Sequence, residues 1–135
     1  MNYYAAFVAA LTEDGQWAAT TRAADRGESG RIGLAGGKID DGETAEQAAL
    51  REAAEEGWLI QPNSLSILHV QYVDGNPVVW FFSNQPAIPL EEWEEKGRIT
   101  PIAVSYEALA ASGYGNDAAM PRARAKLSPL QPYDV

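Results

Sequence analysis

Three glutamates, Glu52, Glu55 and Glu56, stand at positions i, i+3 and i+4 of one short segment. In a helix, with ~3.6 residues per turn, this spacing places them on one face, where like charges destabilise the helix. Carboxylate oxygens are the ligands that Mg²⁺ and Mn²⁺ prefer, so a divalent cation would relieve the repulsion. The spacing therefore predicts a metal site on one face of a helix.

The alternative interpretation is a solvated acidic face on a surface helix. Arg51 offers that helix a local salt-bridge partner, although exposed ion pairs contribute little to stability. The glycine pair before the helix, Gly36 and Gly37, supplies backbone that can pass close to a ligand because it has no Cβ. A carbonyl oxygen from this loop could complete the coordination shell.

The composition limits the classes of protein to which the chain can belong. Its 135 residues fit one domain, here taken as residues 1–135. The sequence contains no cysteine, which excludes disulfides and thiolate metal sites. A net charge of −9 argues against binding to long nucleic acid, which usually needs a basic face. A small phosphorylated molecule can still bind to an acidic protein through bridging metal ions.

The start of the chain, "MNYYAAFVAALTEDG", lacks a basic region and carries acidic residues early. We interpret it as a first strand rather than a signal peptide. No apolar run approaches the ~20 residues of a membrane span. These features, with the absence of cysteine, predict a cytoplasmic protein with no membrane partner.

The hydrophobic pattern predicts strands, a helix, more strands and a second helix, an order that indicates a mixed α+β or α/β layered fold with the sheet between helices. A turn with an Asp-Gly signal joins the first two strands as a hairpin, and Gly57 stops the helix that Thr44 begins. A second Asp-Gly turn between β-forming runs is the strongest hairpin signal. The predicted ranges are strands at 3–11, 16–22, 66–73 and 77–85, a helix at 44–56, polar loops at 23–31 and 86–101, a strand end with a second helix at 102–112, and a loosely held tail at 128–135.

The segment "GGKIDDGETAEQAALREAAEE" resembles the Nudix box, G-x5-E-x7-R-E-U-x-E-E-x-G-U. Gly37, Glu43 and the run from Arg51 to Glu56 match its glycine and its charged positions at the right spacing, most closely in the manner of MutT-type enzymes. The match departs at one place, because Trp58 stands where the family has glycine and Gly57 comes one residue earlier. We interpret Gly57 as the helix C-cap in a left-handed conformation.

The resemblance implies the Nudix fold, an α/β/α sandwich with a mixed central sheet, and hydrolysis of a nucleoside diphosphate linked to another group. It implies that Mg²⁺ or Mn²⁺ is held by Glu52, Glu55, Glu56 and the carbonyl of Gly36, and that one of the glutamates, or a later one, is the general base. The resemblance also implies that Arg51 and Glu43 are orienting residues rather than direct metal ligands. Relatives also place a glutamate in the later loop, for which the candidates by position are Glu95 and Glu94. A solvated acidic loop is the alternative for each.

The sequence gives weaker signals for the residues that bind the substrate. Arg22, at the end of the second strand, is a predicted phosphate contact, although a surface salt bridge would explain it equally well. Lys38 is a predicted substrate-binding residue. Asn116 could pair with a base edge through two hydrogen bonds, as in some MutT-like relatives. The simpler alternative is that Asn116 begins or caps a helix beside Asp117. His69, the one histidine, is interpreted as structural.

The predicted function is Mg²⁺-dependent cleavage of small nucleotides, with (deoxy)nucleoside triphosphates, including oxidised ones, giving monophosphate and pyrophosphate. The alternatives are an ADP-ribose or dinucleoside polyphosphate hydrolase, and a Nudix-fold domain that binds a nucleotide without cleaving it. The expected partner is a small nucleotide, and the protein is expected to be a monomer or a homodimer.

Overall fold

The structure, a computed structural model, describes residues 2–22 and 31–127. The predicted loop at 23–31, except for its last residue, and the predicted tail at 128–135 lie outside the described residues. Within those residues, no helix combines the length and the apolar character needed to cross a membrane. The secondary-structure elements, in chain order, are β1 (Ala5–Ala9), β2 (Trp17–Arg22), β3 (Ile32–Gly33), β4 (Ala35–Lys38), α1 (Ala45–Glu55), β5 (Trp58–Leu59), β6 (Leu65–Val73), β7 (Asn76–Ser83), β8 (Ile88–Pro89), β9 (Ile99–Val104), α2 (Tyr106–Ala110) and α3 (Asn116–Leu127).

The central sheet is mixed, with strand order β4-β1-β7-β6. The pair β1/β7 is parallel, and β1/β4 and β6/β7 are antiparallel. The predicted second hairpin is confirmed, and its turn residues Asp74 and Gly75 have φ angles of 51° and 81°. The predicted mixed central sheet is therefore confirmed.

The predicted hairpin between the first two strands is wrong beyond its turn. Both edges of β1 are occupied, by β4 and β7, so β1 has no free edge for β2. The two segments are joined near the turn by an isolated bridge between Leu11 and Trp17 and by bonds from Ala18 N to Ala10 O and from Thr12 N to Gln16 O. Instead β2 enters a second, antiparallel sheet of order β3-β2-β9.

Helix α1 has the capping that its sequence predicts. Thr44 accepts a hydrogen bond from the Gln47 backbone, and the Gln47 side chain accepts one from Thr44 in return, which satisfies two backbone donors at the helix start. At the other end Gly57 has a φ of 106°, so the predicted glycine stop is confirmed. The small residues Ala48, Ala49 and Ala53 are fully buried, and they let the helix lie close to β1 and β4.

The two faces of the central sheet carry two separate cores. Val79 and Phe81 pack with the alanines of α1. Trp80 and Phe82 point to the other face, as the alternation of side chains along a strand requires, and pack with Leu109 of α2 and with residues of α3. Helices thus lie on both sides of the sheet, which confirms the α/β/α sandwich.

Two elements near the C-terminus were predicted only in part or not at all. The segment at 86–101 is not one loop, since it contains β8, paired with β5, and the start of β9. The pattern also gave no boundaries for α3, whose hydrophobic residues are few and which contains Pro121. Asn116 begins this helix, with Asp117 in its first turn, which confirms the simpler alternative for Asn116. Asn116 is itself buried.

Candidate active site

Three glutamates converge at the C-terminal end of α1. Carboxylate oxygens of Glu52, Glu55 and Glu95 lie within 4.8 Å of one another. The side chains are 16%, 25% and 17% exposed, respectively. Such side chains do not form a freely solvated face, and their oxygens are close enough together to share one divalent cation.

The loop that carries Glu95 is fixed directly to the end of α1. The backbone N–H of Glu95 donates to the carbonyl of Glu55 over 2.9 Å, which satisfies a carbonyl that the helix end leaves without a partner. The carbonyl of Glu95 accepts from the N–H groups of Arg98 and Ile99, both at 2.9 Å. Glu94, the other candidate of this loop, is exposed and is not a member of the cluster.

Arg51 connects the acidic groups to one another. One of its nitrogens, Nη1, donates to Glu52 and to Glu55, both over 3.0 Å. Its Nε and Nη2 donate to the two oxygens of Glu43 over 2.6 Å and 3.0 Å, in a bidentate pair of the kind that gives arginine its geometric specificity. These bonds, that to Glu43 foremost, raise the pKa of Arg51 above its ordinary value.

Glu43 is fixed from two sides. Besides Arg51, the backbone N–H of Asp40 donates to Glu43 Oε1 over 2.9 Å. These two hydrogen bonds, with that of Arg51 the larger, lower the pKa of Glu43. Glu43 therefore stays ionised and holds the guanidinium of Arg51 toward the cluster. This geometry is consistent with the orienting roles that the resemblance implies for Arg51 and Glu43.

Glu56 is not one of the three clustered carboxylates and has a different environment. It is 5% exposed, and its Oε1 accepts a hydrogen bond from Gly36 N over 3.0 Å. Burial raises the pKa of Glu56 to about 8. Burial also raises the pKa of Glu52. The metal role predicted for Glu56 stays a prediction, and Glu95 joins the group that can hold a cation.

The glycine pair leaves room for this arrangement. A Cβ at Gly37 would lie 2.6 Å from the Glu52 carboxylate, and a Cβ at Gly36 would lie 2.3 Å from the carbonyl oxygen of Ala6. Any side chain at Gly37 would displace a member of the cluster. The donor set and this close approach of backbone to carboxylate together fit a hard divalent cation. The metal role of the Gly36 carbonyl stays a prediction.

A pocket of about 190 Å³ lies beside Glu56, which is one of its lining residues. Arg22 and Asn116 line it together with Gly36 and Glu56, so the structure brings these predicted substrate residues to the buried acid. Lys38 is not a lining residue. Its ammonium lies 5.3 Å from the centre of the Tyr4 ring, and its carbonyl accepts from Arg51 over 3.0 Å.

Further pocket residues carried no signal in the sequence. Phe7 and Thr20 lie on strands of different sheets, and Arg31 and Tyr114 lie on loops far apart in the chain. The Arg31 guanidinium stacks 3.6 Å from the centre of the Tyr114 ring. Only the three-dimensional fold brings these four side chains together.

The departure from the box at Trp58 has a clear structural reason. Trp58 is buried, and its indole N–H donates to the carbonyl of Ala19 on β2 over 2.7 Å. A Cβ at Gly57 would lie 2.6 Å from the ring of Pro101. The glycine is therefore needed one position earlier, where the chain passes Pro101, and Trp58 ties the end of α1 to the second sheet.

Comparison with known proteins agrees with this geometry. The model of the NUDIX domain family matches residues 1–120, and the chain belongs to that family. A relative, 8-oxo-dGTP diphosphatase of Escherichia coli (strain K12), is 37% identical over 78 residues, which are 56% of this chain and 55% of the relative. The chain thus matches little more than half the length of that relative.

Several solved structures share the fold. A structure described as an ADP compounds hydrolase has a TM-score of 0.73 at 21% identity and covers 94% of this chain and 74% of its own. A MutT NUDIX hydrolase from Burkholderia pseudomallei has a TM-score of 0.65 at 20% identity, covering 90% and 98%. The NUDIX domain of NrtR from Shewanella oneidensis, solved with ADP ribose, has a TM-score of 0.67 at 18% identity, covering 95% and 90%.

Proposed function

We propose that the protein is a divalent-cation-dependent pyrophosphohydrolase of small nucleotides, with (deoxy)nucleoside triphosphates as the preferred class. The observation that carries the proposal is the convergence of Glu52, Glu55 and Glu95 within 4.8 Å, beside a pocket lined by Arg22 and Asn116. Family membership and the partial match to 8-oxo-dGTP diphosphatase support it.

The acidic residues have distinct proposed roles. Glu52, Glu55 and Glu95, with the predicted ligands Glu56 and the Gly36 carbonyl, hold Mg²⁺ or Mn²⁺. When bound, the cation neutralises charge on phosphate oxygens and lowers the pKa of water. Arg51 and Glu43 hold the carboxylates in place. The negative charge of the carboxylates is balanced without a lysine in the cluster.

The general base is one of these glutamates, and Glu56 has the environment that fits best. Its Oε1 accepts from Gly36 N–H, so Oε2 is the oxygen that would take a proton from the attacking water. Glu56 also lines the pocket, which places it next to a bound substrate. Arg22 is proposed to contact phosphate and Asn116 the base edge. Lys38 stays a predicted substrate-binding residue, although it does not line the pocket.

The test is a hydrolysis panel with Mg²⁺ in which products are separated by chromatography. It includes ordinary and oxidised nucleoside triphosphates, ADP-ribose and diadenosine polyphosphates, with EDTA as the control. We expect a triphosphate to give monophosphate and pyrophosphate. Release of orthophosphate, or cleavage of ADP-ribose in preference to every triphosphate, would contradict the proposed substrate class.

A further inference from the structure

Strand β6 lies at one end of the central sheet and has a free edge. Among the described residues it is hydrogen-bonded to β7 alone, so no strand of that part of the chain pairs with its outer backbone groups. With nine residues, β6 is the longest strand that the structure describes. A long edge strand is a template for pairing with another chain unless its sequence or its neighbours protect it.

The sequence of β6, LSILHVQYV, contains few of the features that protect edge strands. It has neither proline nor a Lys, Arg, Asp or Glu side chain, which are the usual means of discouraging edge pairing. The one irregularity is a bulge between Ile67 and His69, which bends the first part of the strand. Residues 69–73 follow the bulge and pair regularly with β7. We call residues 69–73 the open edge.

The region around β6 is nearly free of charge, although charged residues make up 21% of the chain. Between positions 57 and 90 the only charged residue is Asp74. Strand β7 lies in this stretch and is largely buried, which explains its own lack of charge. The same explanation fails for β6, where Tyr72 is 62% exposed and Val73 is 41% exposed. An exposed, uncharged edge with large apolar side chains is typical of a surface that a partner covers.

A second copy of the chain is the partner that the charges favour. With a net charge of −9, two copies repel each other wherever their acidic surfaces meet. At the open edge they can meet without opposing any charges, whereas a basic partner would be drawn to the acidic surfaces instead. An antiparallel pair of identical strands is also self-complementary about a two-fold axis. One such contact uses the open edge of both copies and closes the assembly as a dimer.

We propose that the protein forms a homodimer in which the open edges of two copies pair antiparallel, with Gln71 opposite Gln71 of the second copy. In this register the two open edges overlap completely. Tyr72 then lies opposite Val70 of the second copy, an aromatic and β-branched pair of the kind that stabilises sheets. A shift of the register would bring the bulge or the hairpin turn into the pairing.

Disulfide formation tests the register. The sequence contains no cysteine, so one introduced cysteine reports on one contact. Opposed residues of an antiparallel pair have Cα atoms ~4.5–5.5 Å apart, which is within the range of a disulfide. Ser66→Cys is the matched control, because Ser66 is also exposed on β6 but its two copies would lie roughly 33 Å apart, at ~3.3 Å per residue. We expect Gln71→Cys to form a disulfide-linked dimer at least about tenfold faster than Ser66→Cys.

The mass in solution tests the dimer itself. Sedimentation of the wild type at micromolar concentration should give about twice the 14.6 kDa of one chain. Gln71→Glu sets two carboxylates against each other on the axis and should raise the dissociation constant of the dimer about tenfold or more. Ser66→Glu adds the same charge away from the axis and should leave the dimer intact. Both side chains are exposed, so the circular dichroism of both variants should stay native.

Three results would each overturn the proposal: a wild type that is monomeric at high micromolar concentration, equal rates of disulfide formation in the two cysteine variants, or equal weakening by the two glutamate substitutions. A monomeric wild type would leave residues 128–135 of the same chain, or an extended peptide of another protein, as the occupant of the open edge. Within the described residues, β6 contributes nothing to the pocket beside Glu56 or to the acidic cluster. The hydrolysis panel and this experiment can therefore succeed or fail independently.

Discussion

Arg51 and Arg98 explain how three carboxylates can lie close together before any cation binds. Arg98 Nη2 lies 3.3 Å from Glu95 Oε1, and Arg51 contacts the other two carboxylates. The Arg51 guanidinium donates to Glu52 and Glu55 from one side and is held by Glu43 from the other. Lysine could not replace this fork, since an ammonium is a point charge without bidentate geometry. The repulsion apparent in the sequence is thus partly balanced by a residue within the same motif, and a divalent cation would complete the balance.

Gly37 is predicted to be essential because of the space that it leaves. In Gly37→Ala the new Cβ would meet the Glu52 carboxylate at 2.6 Å and displace it. We expect Mn²⁺ affinity, measured by electron paramagnetic resonance, to fall about tenfold or more. Gly33→Ala is the control, because its Cβ would meet nothing closer than 3.8 Å. Equal Mn²⁺ affinity in the two variants would show that Glu52 does not bind the ion.

The buried Glu56 predicts how the stability of the metal-free protein depends on pH. Its pKa is about 8 in the folded state and near 4.5 when unfolded. The stability that its protonated form contributes is fully present below the unfolded pKa and is lost as pH rises through the folded pKa. Urea unfolding in EDTA should therefore give a free energy that falls between pH 5 and 9, by on the order of a few kcal/mol.

Glu56→Gln provides the comparison, because the amide stays neutral throughout. We expect its free energy of unfolding to change less than that of the wild type over this pH range. The same pH dependence in both proteins would contradict the assignment to Glu56.

At the scale of elements, α1 and the loop that carries Glu95 behave as one unit. Glu95 N–H caps the carbonyl of Glu55, Leu90 N–H donates to the carbonyl of Gly57 over 2.9 Å, and β5 pairs with β8. Trp58 adds the bond to Ala19 that fixes this unit to the second sheet. The position of Glu95 relative to Glu55 is therefore set by backbone bonds, not by flexible side chains.

Gly57→Ala tests this unit. Gly57 combines a φ of 106° with a Cβ position 2.6 Å from Pro101. Overpacking of this kind costs about 1–3 kcal/mol, in addition to the backbone strain. Gly15→Ala is the matched control, since its φ is 86° but nothing lies within 4 Å of its Cβ. Urea unfolding should show Gly57→Ala as clearly the less stable variant, and equal losses would contradict the packing explanation.

Local signals predicted the elements on which the box depends. Thr44 and Gly57 mark the two ends of α1, and the Asp74-Gly75 turn marks the hairpin of β6 and β7. The partner of β2 could not be predicted, because it follows from the occupation of both edges of β1 by strands distant in the chain. Helix α3 lacked an amphipathic pattern. The box residues were visible as a motif, but the pocket wall from Arg31 and Tyr114 depends on long-range contacts.

At the scale of the whole molecule, the site forms where the two main sheets and the end of α1 meet. Glu52 and Glu55 come from the helix, Gly36 from the central sheet, and Arg22 from the second sheet. With a net charge of −9, the protein would repel a free polyphosphate at long range. Cation binding and Arg22 are therefore expected to govern whether a nucleotide can enter.

The most direct test of the account is the rate of Mg²⁺-dependent pyrophosphate release by Glu55→Gln. Its matched control is Glu46→Gln, an exposed acid in the first turn of the same helix. We predict that Glu55→Gln lowers the rate about 100-fold or more while its circular dichroism stays native, since losing a metal ligand costs at least as much as losing the support of one. Glu46→Gln should keep the wild-type rate. Wild-type turnover in Glu55→Gln would contradict the account.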